Sequence, residues 1–191
     1  RPRRLDVPDA ARLEGAGLSS SATRDLERLA GRPVVVVGGG DAAYENALML
    51  ARAGCAVTLA VRDAPVARPR FRDRVAAEPK IEILLGVWLI EVLGASAVEG
   101  VLLERENHER IELACEGLVV KIGNLPNTEW CRGAIALDRE GYVVTDGEGR
   151  ASRPGVWAAG DVTRPGLPAI QVAEAQAASV VRAILRDLGR A

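Results

Sequence analysis

Histidine and cysteine, the side chains from which many metal and catalytic sites are built, are scarce in this sequence. The one histidine, His108, lies in a polar stretch that we expect to form an exposed hairpin tip. The three cysteines, Cys55, Cys115 and Cys131, lack the paired spacing of a zinc site or a disulfide framework. We therefore expect reduced structural thiols, no metal site and no catalytic side chain. Only Cys131, in a loop, should alkylate quickly.

An excess of charge of either sign is also missing. The 191 residues carry a formal net charge of −1, which argues against a nucleic-acid partner. No run of apolar residues approaches the 18 that a membrane span needs, and no signal sequence opens the chain. We expect a soluble, cytoplasmic protein without a membrane partner, with room for one domain and part of another.

The most informative feature that is present is a glycine turn, Gly38-Gly39-Gly40, between two other signals. A valine run at 34–37 predicts a buried parallel strand, and the segment 41–53 predicts a helix. Gly38 would permit the tight turn, and Gly40 would let the backbone approach a pyrophosphate. This order predicts a dinucleotide-binding βαβ unit, with a purely structural glycine turn as the alternative.

The predicted helix would contribute to binding and to packing. The free N–H groups at its start, at Asp41 and Ala42, and the helix dipole favour a phosphate. Ala43 would let the helix pack closely against the strand. We expect four apolar residues to face the sheet: Ala42, Leu48, Met49 and Ala53.

The rest of the chain continues the α/β pattern and adds a meander. Further parallel strands are predicted at 57–61, 81–85 and 117–123, with a short helix at 71–77, and a β-meander is predicted at 87–93, 98–104 and 110–114. Lys121 is unexpected within a buried strand, and we expect it to reach solvent or a phosphate. After a break at 124–127 come the apolar segments 142–145 and 155–161, and a helix is predicted at about 169–188.

In this order, the landmarks resemble the thioredoxin-reductase-like branch of the pyridine nucleotide-disulfide oxidoreductases. The resemblance rests on the glycine turn, on the motif at 122–128 and on the motif at 152–161. It implies an α/β fold with a Rossmann-like NAD(P)-binding domain and β-meander at residues 1–124. Residues 125–191 would be the carboxyl-terminal segment of an FAD-binding domain.

The resemblance also implies cofactor contacts. NAD(P)H would contact the glycine turn and the residues that end the last strand, Ile122 and Gly123. FAD would contact four residues of the second segment: Gly160, Asp161, Ala169 and Ile170. The family's other glycine fingerprint, in a segment before the hinge, is absent from this sequence. We therefore expect FAD only in an intact protein, and a homodimer or association with the missing FAD half. An exposed apolar surface should surround Val156 and Ile170.

The residues after the second strand give a mixed signal for the nicotinamide cofactor. Arg62 favours the 2′-phosphate of NADP, whereas Asp63 favours the ribose hydroxyls of NAD. Arg68 lies roughly where the resemblance places a further arginine of the NADP signature. The balance favours NADP, with NAD as the alternative.

The family's redox cysteine pair falls here on Ser21 and Arg24, which we expect in a polar loop. Neither side chain supplies a thiolate, so direct dithiol exchange is excluded at this position. The sequence thus favours an NAD(P)H-dependent flavoprotein oxidoreductase that passes hydride to FAD and on to an unidentified acceptor, not a local Cys-x-x-Cys disulfide. The alternatives are a non-catalytic NAD(P)-sensing module and one half of a split flavoenzyme.

Overall fold

A computed structural model describes residues 1–8, 10–166 and 168–190. They form two compact units. The larger unit comprises Pro2–Gly123, and the smaller comprises Arg1 and Asn124–Ala191.

The larger unit is built on a five-stranded parallel sheet, on three helices and on a three-stranded antiparallel meander. The parallel strands are β1 (Leu18–Ser19), β2 (Pro33–Val37), β3 (Ala56–Val61), β4 (Ile81–Leu85) and β8 (Gly117–Val120). They lie in the order β1-β8-β2-β3-β4. The helices are α1 (Ala22–Leu29), α2 (Asp41–Arg52) and α3 (Pro69–Ala76). The meander consists of β5 (Val87–Leu93), β6 (Gly100–Arg105) and β7 (Arg110–Ala114).

The valine run of β2 is continuous because the strand is buried on both faces. Val34 and Val36 pack in one apolar cluster with the helix residues Ala43 and Ala47. Val35 belongs to a second cluster, which it shares with residues of β8 and the meander. The parallel sheet therefore lies between a helical layer and the meander, and no face of its central strand needs a polar residue.

Of the four residues expected to face the sheet from helix α2, two do so, and Ala53, which follows the last helical residue, is half-buried outside the cluster. Leu48 is buried and Met49 packs against the same apolar cluster, whereas Ala42 is exposed. The prediction for Ala42 was wrong because the residue that faces β2 at this end of the helix is Ala43. The Cβ of Ala43 lies 3.2 Å from where a Cβ on Gly38 would be, so helix and turn pack as closely as expected.

The smaller unit has little regular structure besides one helix, α4 (Ile170–Asp187). The segments at 142–145 and 155–161 form no continuous strand. Isolated bridges take their place, and they join Leu137 to Val143, Thr145 to Ala151 and Arg150 to Trp157. Arg150 also donates to the Asp187 carboxylate at 2.9 and 2.7 Å, which anchors the carboxyl end of α4.

Apolar side chains of this unit are exposed on α4 and at the residue that follows it, as the sequence predicts for Ile170. The exposed side chains are those of Ile170, Val181, Leu185 and Leu188, and Val156 is half-buried. Cys131, which we expected to be accessible, is buried, and its thiol donates to the carbonyl of Thr128 at 3.0 Å. A 3₁₀ turn at Glu129–Cys131 turns the Cys131 thiol inward. The loop sequence does not predict this turn.

Candidate functional site

The carboxyl ends of the parallel strands form one edge of the sheet, and the glycine turn lies there. From β2 the chain passes through α2 to β3 on one side, while β8 lies on the other side. Such a reversal of strand order opens a crevice at the carboxyl edge, where open α/β sheets bind ligands. Among the described residues, this edge brings together the glycine turn, the start of α2 and the ends of β3 and β8.

Gly38 is required by the geometry of the turn. Its φ of +143° is one that L side chains rarely adopt, and its N–H donates to the carbonyl of Ala60 at 3.0 Å. A Cβ on Gly38 would lie closer than 3.0 Å to the carbonyl of Lys121, which directly follows β8. The tight turn predicted for Gly38 is therefore present, and it is tight because β8 runs beside it.

Gly40 has a different environment. It is the N-cap of α2 in an extended conformation, with no side-chain cap, and a Cβ there would meet nothing within 4 Å. Its carbonyl accepts the N–H groups of Ala43 and Tyr44, which leaves those of Asp41 and Ala42 without a partner among the described residues. The amino end of α2 is thus open and offers two unpaired donors to an anion.

The two arginines proposed for the 2′-phosphate have carboxylate partners. Arg62, just past β3, donates from Nε to Asp63 at 2.8 Å, and both side chains are more than 70% exposed. The N–H of Arg68 donates to Asp41 at 2.7 Å, and the Arg68 guanidinium forms an ion pair with the same carboxylate. Burial raises the pKa of Asp41, but the bonds from Arg68 outweigh it and hold this pKa below its ordinary value.

This Asp41–Arg68 pair fastens the loop after β3 to the start of α2. In the same loop, the N–H groups of Val66 and Ala67 donate to the carbonyl of Gly39 at 2.9 and 3.0 Å. Sequence reasoning missed this pair, because an aspartate and an arginine 27 positions apart give no local signal.

Ser21 and Arg24 lie at the start of α1 and not in a polar loop, so that expectation was wrong. Ser21 is the N-cap, and its hydroxyl accepts from the N–H of Arg24 at 3.4 Å. A serine in this role satisfies one of the unpaired donors of a helix start. The residue that occupies the first cysteine position of the family is therefore engaged in helix capping.

Asp25 is held in an ionised network beside them. The fully buried hydroxyl of Ser19 donates to its carboxylate, and Arg24 donates to the same oxygen at 3.2 Å. Burial raises the pKa of Asp25, but these hydrogen bonds outweigh burial, so the pKa lies below its ordinary value. Asp25 is thus a carboxylate with structural partners at neutral pH.

The end of β8 borders the same crevice. The N–H of Lys121 donates to the carbonyl of Val37 at 2.8 Å, and its side chain is half-buried. Ile122 is 36% exposed, and Gly123 has a φ of +97°, with its carbonyl accepting from the N–H of Arg3 at 2.9 Å. Strand β8 ends at Val120, three residues earlier than predicted, because its partner β2 ends at Val37, which is in register with Val120.

The residues expected to contact FAD all lie in the smaller unit. Gly160 begins a 3₁₀ turn with a φ of +79°, and its N–H donates to the side-chain oxygen of Gln176 at 2.8 Å. Asp161 is exposed, and Ala169 caps α4 without a side-chain hydrogen bond. An exposed carboxylate and an uncapped helix start fit the polar edge of a flavin nucleotide, although Gln176 takes one backbone donor.

The part of the chain that the structure describes contains neither a membrane-spanning helix nor a metal-binding cluster. None of these helices is long and apolar enough to cross a membrane. No group of three or more His, Cys, Asp and Glu side chains among the same residues could hold a metal ion.

Comparison with known proteins agrees with this geometry. The family model described as pyridine nucleotide-disulphide oxidoreductase matches residues 1–177. The chain belongs to this family. The resemblance inferred from the glycine turn and the two later motifs is thereby confirmed, and with it the Rossmann-like α/β class of the fold.

Relatives within the family are longer than this chain. It is 33% identical to an alkyl hydroperoxide reductase subunit of Pseudomonas putida, covering the whole chain but 37% of that protein. It is 37% identical to thioredoxin reductase of Streptomyces clavuligerus, covering 84% of the chain and 51% of the relative. The chain thus spans about half or less of the length of these curated relatives.

Solved structures show the same relationship. Thioredoxin reductase of Lactococcus lactis in the FR conformation superposes with a TM-score of 0.93 at 26% identity, over 97% of this chain and 62% of that one. The enzyme of T. acidophilum superposes with a TM-score of 0.91 at 25% identity, with the same coverage.

Proposed function

We propose that this member of the family acts in an NAD(P)H-dependent flavoprotein oxidoreductase. Residues 1–124 would bind NAD(P)H, and residues 125–191 would complete an FAD-binding domain. When NAD(P)H is bound, its nicotinamide would supply a hydride that the flavin accepts. The electrons would then pass to an acceptor other than a local Cys-x-x-Cys disulfide. Family membership and the crevice at the carboxyl edge of the larger sheet support this proposal.

The observation that carries the proposal is the open amino end of α2 behind a turn that only glycine can make. The unpaired N–H groups of Asp41 and Ala42 would donate to the pyrophosphate, and Gly40 leaves the space that it needs. Gly38 would fix the direction of these donors. Arg62, which is exposed at the end of β3, would reach the 2′-phosphate and favour NADPH over NADH.

The residues at the start of α1 support an electron acceptor other than a local disulfide. Ser21, which caps the helix, and Arg24, which bonds Asp25, carry a hydroxyl and a guanidinium, so neither position provides a sulfur atom. Cys55 and Cys115 are buried, and burial raises the pKa of Cys115 to about 11. A thiol with so high a pKa is almost entirely protonated at neutral pH and attacks disulfides slowly. The reduced flavin would therefore deliver its electrons elsewhere.

The proposal is tested by titrating the 191-residue chain with NADPH. Gly40→Val should abolish binding, because the branched side chain would fill the space left for the pyrophosphate. The matched control is Gly147→Val. Gly147 also has nothing within 4 Å of an added Cβ and lies in an exposed turn of the smaller unit. Both variants should remain folded, with melting temperatures within about 4 °C of the wild type. Unchanged NADPH affinity in folded Gly40→Val contradicts the proposal.

A non-catalytic NAD(P)-sensing role is the second candidate. It is favoured by Gln176, whose side chain occupies the Gly160 N–H in the segment that would meet the flavin. The two candidates differ in flavin content and in turnover. Purification with bound FAD and NADPH oxidation with an artificial acceptor would support the enzyme, whereas NADPH binding without either would support the sensor.

Assembly and location complete the proposal. We infer a homodimer, or association with a separate FAD-binding half, because exposed apolar side chains on α4 favour burial against another surface. Sedimentation of the purified chain checks this. A cytoplasmic location fits the three free, buried cysteines, since thiols stay reduced in that compartment.

A further inference from the structure

Lys121 lies across the strand-order reversal from the amino end of α2. Val120, the last residue of β8, is in register with Val37, the last residue of β2. The next N–H, that of Lys121, donates to the Val37 carbonyl, and the Lys121 carbonyl faces Gly38. The backbone of Lys121 is therefore held directly beside the glycine turn.

The side chain of Lys121 lies on the helical side of the sheet. Leu118 and Val120 pack in the cluster on the meander side, and Val119 packs in the cluster on the helical side. Continuing this alternation places Lys121 on the helical side. In agreement, the charged groups that act on its ammonium are Arg24 of α1 and Glu45 of α2.

The ammonium of Lys121 is poorly compensated in the unliganded chain. It has no hydrogen bond or ion pair with any residue that the structure describes, although the side chain is half-buried. Burial lowers the pKa of Lys121, and Arg24 lowers it further, while Glu45 opposes both. A partly desolvated cation beside another cation is unfavourable, and a bound anion would relieve this cost.

The strand order indicates which anion fits. Arg62 follows β3 on one side of β2, and Lys121 follows β8 on the other side. A dinucleotide lying across β2 with its adenosine ribose at Arg62 would turn its other half towards Lys121. Neighbouring strands are about 4.8 Å apart, so an extended lysine on β8 reaches the space above the glycine turn.

We propose that Lys121 is a pyrophosphate contact of the bound dinucleotide. The N–H groups of Asp41 and Ala42 hold one phosphate, and the Lys121 ammonium donates to an oxygen of the other. This inference rests on the proposed function of the crevice. The glycine fingerprint alone predicts only backbone N–H donors for the pyrophosphate. The inference adds a positively charged side chain, from the residue that follows β8.

Two lysines in the whole chain provide a matched pair for the test. Lys80 is exposed and precedes β4, at the opposite edge of the sheet from Lys121. Lys121→Met should weaken NADPH, NADH and ADP-ribose alike, by about tenfold or more, because a charge-assisted hydrogen bond is lost from each. AMP, which lacks the second phosphate, should bind as it does to the wild type. Lys80→Met should leave all four affinities unchanged.

Each result has a distinct meaning. Wild-type affinity of Lys121→Met for ADP-ribose overturns the inference while leaving the proposed function in place. Weakening confined to NADPH also overturns it, because the contact would then be to the 2′-phosphate. If the wild-type chain binds no dinucleotide, the proposed function fails and the inference fails with it.

A second measurement uses the unmodified protein and does not depend on the folding of a variant. Saturating ADP-ribose should protect Lys121 from reductive methylation, as followed by mass spectrometry, and should leave the labelling of Lys80 unchanged. Equal labelling of Lys121 with and without bound ADP-ribose overturns the inference.

Discussion

The carbonyl oxygen of Lys121 occupies the space that a Cβ atom on Gly38 would need. Gly38 is therefore required by the packing of the fold and not only for the binding of a nucleotide. Strand β8 can lie beside β2 only because the turn after β2 has no side chain at its first residue. Gly40, two residues later, has no such constraint and faces open space.

Gly38→Ala should accordingly destabilise the chain, by more than about 2 kcal/mol, because the added methyl group meets backbone and the φ is unfavourable. Gly40→Ala should change the free energy of unfolding by less than about 1 kcal/mol. Urea denaturation followed by circular dichroism measures both. Equal stability of the two variants would show that β8 can shift away from the turn.

Arg62 and Arg68 should affect nucleotide binding differently. Arg62→Ala should weaken NADPH about tenfold or more and leave NADH nearly unchanged, since only the 2′-phosphate contact is lost. Arg68→Ala should weaken both, because it frees the Asp41 carboxylate at the start of α2, where the pyrophosphate would lie. Isothermal titration with each nucleotide distinguishes the two effects. A wild-type preference for NADH would instead point to Asp63 as the determinant.

Asp25 should make stability depend on acid pH. Because its pKa in the folded chain is lowered, its contribution is present above the ordinary aspartate pKa of about 3.9 and is lost as pH falls through the folded value. Asp25→Ala should cost about 1–3 kcal/mol at pH 7 and should flatten the acid limb of the stability curve. The control is Asp63→Ala, which removes an exposed ion pair and should have little effect.

The three thiols should react slowly in the folded chain. Cys55, Cys115 and Cys131 are all buried, and Cys115 also has its pKa raised to about 11. Iodoacetamide at neutral pH should label each of them far more slowly than in urea, with mass spectrometry reporting the site. Rapid native labelling of Cys131 would show that the 3₁₀ turn at Glu129–Cys131 opens readily.

Disulfide reduction should be absent. The purified chain with NADPH should reduce neither thioredoxin nor a small aromatic disulfide, because Ser21 and Arg24 carry no sulfur and the cysteines are buried. The absorbance of NADPH follows the reaction, with a complete thioredoxin reductase as the positive control. Robust NADPH consumption with either substrate would contradict this account of the α1 start.

The strand–turn–helix unit and several other elements of the larger unit can be predicted from the sequence alone. The strands at 81–85, 87–93 and 110–114 have the predicted bounds, and α2 ends one residue earlier than predicted. These elements are encoded by local patterns, such as β-branched runs and glycines at their ends, which need no distant partner to be recognised.

Other features depend on contacts between distant parts of the chain. The segments at 142–145 and 155–161 have the composition of strands, but a strand also needs a neighbouring ladder, and only isolated bridges are formed. The Asp41–Arg68 pair and the position of Lys121 beside Gly38 depend on contacts between residues far apart in the chain. A local pattern predicts most helices and strands of the larger unit, but packing decides whether a strand-like segment finds a ladder and which side chains meet at the site.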